Sequence, residues 1–161
     1  MKVENNLYRN LDVLKKIISK IDNSYKYVVS GSTSLAFQGV DVVPNDIDIF
    51  TDKAGVDYFY SILKRYTNEP PKIKETDEAI SYYIKCFIDD VQVEIIGDFI
   101  TKNQDGTFNE STINYDEILF KEYKNVSIPV MPLSLELIGY QQLNRIEKVK
   151  KIQEAMNLNK K

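Results

Sequence analysis

Three acidic residues have the types and spacing of a magnesium site. Asp46 and Asp48 stand two positions apart in residues 46–50, where acidic and apolar residues alternate. A period of two is typical of a half-buried β-strand, and it places both carboxylates on one side, roughly 6.5–7 Å apart along the strand. Carboxylate oxygens at that spacing can converge on one Mg²⁺ or share two ions.

Glu94 is the third acid. It alternates with the apolar residues of segment 91–97, which reads as another strand. A carboxylate on a buried sheet face is costly unless it meets a cation or a hydrogen-bond donor. Glu94 therefore either completes a site with Asp46 and Asp48 or belongs to an edge strand and faces solvent.

A glycine-serine turn precedes the first two acids. Residues 27–30 read as a buried strand, which turns at Gly31 into a short helix with Ser32 as its N-cap. The missing Cβ of Gly31 would let a phosphate approach the backbone, and the helix N-terminus would attract it. Such turns also occur in purely structural roles, so the order of turn, helix and acid-bearing strand carries the functional interpretation.

In this order of elements the chain resembles the nucleotidyltransferase fold of the polymerase β-like superfamily, most closely its small single-domain prokaryotic members. The resemblance implies an α/β (α+β) fold with a mixed β-sheet flanked by helices. It implies that Gly31 and Ser32 hold the phosphates of a nucleoside triphosphate and that Asp46 and Asp48 bind Mg²⁺. It also implies that Glu94 completes the metal site and helps to activate the attacking hydroxyl.

Two further details bear on the resemblance. Arg145 and Lys148 are similar to the basic pair that many members carry on their last helix. Residues 42–45 lack the arginine or threonine that many members place shortly before the first acid. The implied reaction moves a nucleoside monophosphate to a hydroxyl of a small molecule, a protein or an RNA end. The alternative is an antitoxin-like binding or regulatory module with this fold and little or no catalysis.

Composition narrows the chemistry further. The chain has 161 residues, no histidine and one cysteine, Cys86. Histidine-based acid–base catalysis and zinc sites built from cysteine and histidine are therefore excluded. With 43% hydrophobic and 28% charged residues, we expect a single globular domain over residues 1–161.

Charge limits the partners. The net charge of −3 argues against binding long duplex nucleic acid. The basic C-terminus reads first as a solvated helix face and second as a local site for a small RNA end. We see neither a signal peptide nor a membrane span, and we expect a cytoplasmic protein that binds a nucleoside triphosphate and forms a homodimer or binds a protein partner.

The remaining segments read as scaffold. The apolar periodicity predicts helices over 5–22, 51–66 and 134–157, and strands near 72–76, 80–89, 91–97 and 126–131, with a hairpin turn at Asp89-Asp90. Residues 107–123 give no assignment.

Overall fold

The computed structural model describes residues 2–111 and 113–159. In this part of the chain the centre is a seven-stranded sheet in the order β3-β4-β5-β2-β1-β7-β6. The strands are β1 (Val28–Ser30), β2 (Ile47–Thr51), β3 (Lys72–Glu75), β4 (Ala79–Ile88), β5 (Val91–Thr101), β6 (Leu119–Tyr123) and β7 (Val126–Val130). The helices are α1 (Lys2–Ile18), α2 (Gly31–Phe37), α3 (Lys53–Leu63), α4 (Leu133–Gln142) and α5 (Ile146–Asn159), with 3₁₀ turns at Lys64–Tyr66 and Tyr115–Glu117.

The sheet is mixed, as predicted. β2 runs parallel to β5, and β1 runs parallel to β7, whereas the other neighbours are antiparallel. Helices pack against it, which confirms the α+β class. None of the described helices combines the length and apolar character that crossing a membrane requires.

Alternation along β2 and β5 separates a core face from a polar face. Ile47, Ile49 and Ile95 are fully buried in one cluster with residues of α1 and α3. Asp48 and Glu94 therefore project from the opposite face, because successive side chains of a strand alternate. Since β5 lies between β4 and β2, the interpretation of Glu94 as an edge-strand residue is wrong.

The predicted hairpin between β4 and β5 is present. Asp89 and Asp90 both have positive φ, 50° and 65°, as a two-residue turn between twisted strands requires. β5 runs four residues beyond its predicted end at residue 97. Asp98 has a φ of 50° and lies where the register between β4 and β5 shifts. These residues form a β-bulge, and the strand continues beyond it.

Residues 119–123, which the sequence left unassigned, form edge strand β6. It pairs with β7 through a second two-residue turn, Lys124-Asn125, whose φ values are 46° and 67°. Leu119 and Phe120 of β6 are exposed, so the strand has little of the buried alternation that identifies strands from sequence.

The single helix predicted over 134–157 is wrong, because the structure has two helices, α4 and α5. Asn144 separates them with φ of 56°, a left-handed conformation that ends a helix. The apolar stripe is correspondingly interrupted: Ile138 is 38% exposed and Ile146 is 75% exposed, whereas Ile152 is buried. The first helix, predicted over 5–22, ends at Ile18.

We expect Asn144→Val to lower the free energy of unfolding by about 1–2 kcal/mol, because a β-branched residue is strained at positive φ. Chemical denaturation measures the change. Asn144→Gly is the matched control, since glycine adopts this conformation without strain, and it should leave stability within about 0.5 kcal/mol of the wild type. Equal losses in both variants would contradict the role of the turn.

Candidate active site

The strand register places two of the three predicted acids in one row across the sheet, which we call the acid row. Ser30 of β1 lies opposite Asp48 of β2, and Asp48 lies beside Glu94 of β5. Neighbouring strands are about 4.8 Å apart, so these side chains rise from adjacent positions on the polar face. The sequence spacing alone predicts that the two aspartates share a face. The parallel pairing of β2 with β5 places Glu94 on the same face.

Gln92 connects the remaining acid to this row. Its side-chain amide donates to Oδ2 of Asp46 at 3.3 Å and to Oε1 of Glu94 at 3.1 Å. Asp46 lies immediately before β2 and is half-buried. The structure therefore brings Asp46, Asp48 and Glu94 together, with an amide between two of the carboxylates.

Gly31 lies directly against the acid row. Its φ is +76°, and a Cβ atom at this position would collide with Oδ2 of Asp48. A residue without a side chain is therefore required at position 31 for the carboxylate of Asp48 to lie against the backbone. The sequence predicted this requirement only for a phosphate.

The short helix α2 also fixes the position of Asp46. The N-cap is Ser30, so the prediction of Ser32 in that role is wrong. Ser32 instead accepts a hydrogen bond at its Oγ from the backbone N–H of Asn45 at 3.1 Å. The hydroxyl of Thr33 donates to the backbone carbonyl of Asp46 at 2.7 Å. These two contacts tie the segment before β2 to α2.

Glu136 of α4 is a fourth acid that the sequence analysis missed. It is only 4% exposed, and its Oε1 accepts hydrogen bonds from the hydroxyl of Ser30 and from the N–H of Gly31. The available signal was a lone glutamate within the apolar segment 133–138, which a buried role explains better than a solvated helix face. The N–H predicted to face a phosphate thus already faces a carboxyl group.

Burial shifts the proton affinities of two of these acids. It raises the pKa of Asp48 to about 7, and the negative charges of Glu94 and Asp46 raise it further while Lys74 opposes them. Burial also raises the pKa of Glu136 to about 8, against the hydrogen bonds from Ser30 and Gly31. Both shifts arise first from burial, and at Asp48 the two neighbouring carboxylates add to it, an effect that a bound cation would oppose.

A cavity of about 310 Å³ opens beside the acid row. Gly31, Asp48 and Glu94 form part of its wall, and the stacked rings of Phe50 and Phe99, whose centroids are 5.1 Å apart, form another part. Arg145 and Lys148, the basic pair found in the sequence, also line it. Arg145 in addition pairs with Glu78 at 2.8 Å.

The donor set suits a hard divalent cation. Among residues 2–111 and 113–159 no group of three or more acidic or cysteine side chains is already drawn together as a metal cage. Mg²⁺ is commonly bound through one or two carboxylates together with water and substrate phosphates, so it does not need such a cage. Asp48 and Glu94 fit this mode of binding, because they lie on neighbouring strands and both line the cavity.

One solved structure is closely similar to this chain. It is the crystal structure of a candidate nucleotidyltransferase from Thermotoga maritima, which is 32% identical, with a TM-score of 0.78 over 93% of this chain and 94% of that chain. The lincomycin-bound lincosamide antibiotic adenylyltransferase LnuA aligns at 14% identity over 91% of this chain and 97% of that chain, with a TM-score of 0.49. No protein-family model and no curated protein matches the chain.

We expect Gly31→Ala to destabilise the protein by about 2 kcal/mol or more, because alanine is strained at this φ and its Cβ displaces the carboxylate of Asp48. Thermal and chemical denaturation measure this loss. Gly106→Ala is the matched control, since Gly106 also has positive φ, +86°, but a Cβ there meets no atom within 4 Å. A similar loss in both variants would show that backbone strain alone, without the contact to Asp48, explains the effect.

Stability without divalent cations should fall as pH rises. In the unfolded chain these carboxyl groups titrate near pH 4, whereas in the folded protein the pKa of Asp48 is about 7 and that of Glu136 about 8. Their contribution to stability is therefore complete below about pH 4 and is lost as pH rises through 7 and 8.

The measurement is the free energy of unfolding between pH 5 and pH 9 in a chelating buffer. The wild type should lose roughly 2 kcal/mol or more over this range, and Glu136→Gln should lose clearly less. Glu122→Gln changes an exposed acid and should keep the wild-type slope. A wild-type slope in Glu136→Gln would contradict the raised pKa.

Proposed function

Because the chain belongs to the nucleotidyltransferase family, we propose that it transfers a nucleoside monophosphate from a nucleoside triphosphate to a hydroxyl group of a second substrate, with Mg²⁺ as cofactor. The observation that carries this proposal is the row of Ser30, Asp48 and Glu94 across three strands, facing the cavity. Asp48 and Glu94 lie side by side there, and neither of them makes a salt bridge with a described residue.

Asp46, Asp48 and Glu94 are the residues that would hold the metal. When bound, Mg²⁺ stabilises negative charge on the transferring phosphate and on the attacking and leaving oxygens. Gln92 keeps the carboxylates of Asp46 and Glu94 near each other through its two hydrogen bonds. The protein thus supplies position and charge, which are the main requirements of phosphoryl-type transfer.

The nucleotide would enter the cavity with its phosphates towards α2. Ser32 offers its hydroxyl hydrogen, because its oxygen already accepts from Asn45. Gly31 offers its N–H only when a phosphate shares or displaces the carboxyl of Glu136. Arg145 and Lys148 add positive charge at the wall of the same cavity.

The proposed reaction forms one bond to phosphorus and breaks another. The oxygen of the accepting hydroxyl forms a bond to the α-phosphorus, and the bond from that phosphorus to the pyrophosphate oxygen breaks. Since the chain has no histidine, the base that takes the hydroxyl proton is a carboxylate, a lysine, a tyrosine or a metal-bound water, and we assign the role to the carboxylate of Glu94. Pyrophosphate leaves with the electron pair of the broken bond.

The alternative of a non-catalytic, antitoxin-like module is not favoured, because Asp48 and Glu94 line the cavity and Gln92 links Asp46 to Glu94. A single catalytic domain, a cytoplasmic location and a homodimer or protein partner remain predictions that accompany this proposal.

Asp48→Asn should lower the rate of nucleotide transfer by about a hundredfold or more, because it removes a charge next to the transferring phosphate. The assay follows label from an α-labelled nucleoside triphosphate into a panel of hydroxyl-bearing acceptors with Mg²⁺. Asp98→Asn is the control, since Asp98 lies on the same strand as Glu94 but is exposed, and asparagine tolerates its positive φ.

The control should keep the wild-type rate. If wild-type protein neither bound a nucleoside triphosphate in the presence of Mg²⁺ nor transferred label to any acceptor of the panel, the proposed function would be wrong.

A further inference from the structure

The polar face of the sheet continues beyond the acid row onto β4. Lys85 lies directly opposite Glu94, and Phe87 lies opposite Gln92. Tyr83 lies opposite Ile96, which is itself paired with Phe50. Because directly opposed residues of paired strands share a face, Tyr83, Lys85 and Phe87 project from the face that carries Asp48. We call these three residues, together with Lys72 and Lys74 of β3, the β3–β4 platform.

The platform is exposed. Phe87 is 55% exposed, and Lys72, Lys74 and Lys85 are exposed as well. A single exposed ring is ordinary, whereas neighbouring apolar and basic side chains beside an active site are typical of a binding surface. Phe87 is exposed and Tyr83 is half-buried, and both adjoin the acid row, since a single strand separates β4 from β2.

The charge of the platform is opposite to that of the acid row. Lys74 lies over the ring of Tyr83 at 5.1 Å, and its positive charge partly opposes the rise in the pKa of Asp48. Lys85 makes no salt bridge with any described residue, whereas Lys72 pairs with Glu69. An anion on this face would find at least one uncommitted ammonium group.

A groove of about 200 Å³ runs along the platform. Tyr83, Lys85 and Phe87 form one side, and the segment after the first 3₁₀ turn, including Pro70, forms the other. The groove is separate from the 310 Å³ cavity, so a second substrate bound there would approach the acid row from the side of Glu94. Glu94 is the carboxylate assigned above to the accepting hydroxyl.

Single-stranded nucleic acid fits these features better than other hydroxyl-bearing substrates. Its bases stack on exposed aromatic rings, and its phosphates pair with lysines spaced along a sheet. Aromatic and basic residues that alternate on one strand, as Tyr83, Lys85 and Phe87 do, serve both parts of a nucleotide. The small size of the platform agrees with the net charge of −3, which disfavours a long duplex.

We propose that the β3–β4 platform binds the 3′ end of a single-stranded nucleic acid and presents its terminal hydroxyl to the acid row as the nucleotide-accepting group. The identification of the ligand as an acceptor rests on the proposed function. Binding to the platform does not rest on it, and the experiment therefore measures binding alone.

The probe is a 5′-fluorescein-labelled RNA octamer of mixed sequence, titrated with protein in chelating buffer without nucleotide. Fluorescence anisotropy should give a Kd between about 1 and 100 μM at low salt. A labelled octapeptide of glutamate tests a protein-type polyanion and should bind at least tenfold more weakly, because it has no bases to stack.

Phe87→Leu should weaken RNA binding at least fivefold, since base stacking contributes about 1–3 kcal/mol. Phe120→Leu is the matched control, because Phe120 is an exposed aromatic residue, 67% exposed, on the opposite edge strand. Lys85→Gln should reduce the slope of log Kd against log salt concentration by the amount that corresponds to about one phosphate contact. Lys150→Gln changes the basic C-terminal helix and should leave binding unchanged.

The proposal is overturned if RNA shows no binding up to about 1 mM protein, if the peptide binds as tightly as RNA, or if Lys150→Gln or Phe120→Leu weakens binding more than the platform variants do. Failure of label transfer with intact RNA binding would count against the proposed function and leave the platform in place. Transfer to another acceptor without RNA binding would overturn the platform alone. All variants alter exposed side chains, and thermal melts confirm that they fold.

Discussion

The parallel pairing of β2 with β5 is the constraint on which the site depends. It places Asp48 beside Glu94 at one strand spacing, on a face where burial already raises the pKa of Asp48 to about 7. Two like charges in such a place cost free energy, and the surrounding structure must tolerate that cost. Gly31 without a side chain and the amide of Gln92 between two carboxylates are the local adjustments that permit it.

The same pairing divides the polar face into two regions of different chemistry. The cavity extends over β1, β2 and β5, with Phe50 of β2 and Phe99 of β5 in its wall. On the side of β4 lie lysines and exposed rings. Glu94 lies in the wall of the cavity and directly opposite Lys85, so a substrate in either region would be next to the acid row.

Local patterns predicted most of the acid site. Alternation in residues 46–50 and 91–97 placed Asp48 and Glu94 on strand faces, and the glycine at residue 31 marked the turn. Glu136 was not predicted, since its position beside Ser30 results from the packing of α4, a contact 106 residues apart in the chain. The helix break at Asn144 and the β-bulge at Asp98 were not predicted either. Each depends on one residue in the left-handed conformation, which apolar periodicity does not detect.

The hydrogen bonds from Thr33 to Asp46 and from Asn45 to Ser32 have a thermodynamic consequence. They join α2 and the first acid into one unit, so the distance between the turn and the acid is set when the chain folds. The conformational entropy of bringing these groups together is lost during folding and need not be lost again when a substrate arrives. Part of the conformational entropy that binding would otherwise cost has therefore been lost before the ligand binds.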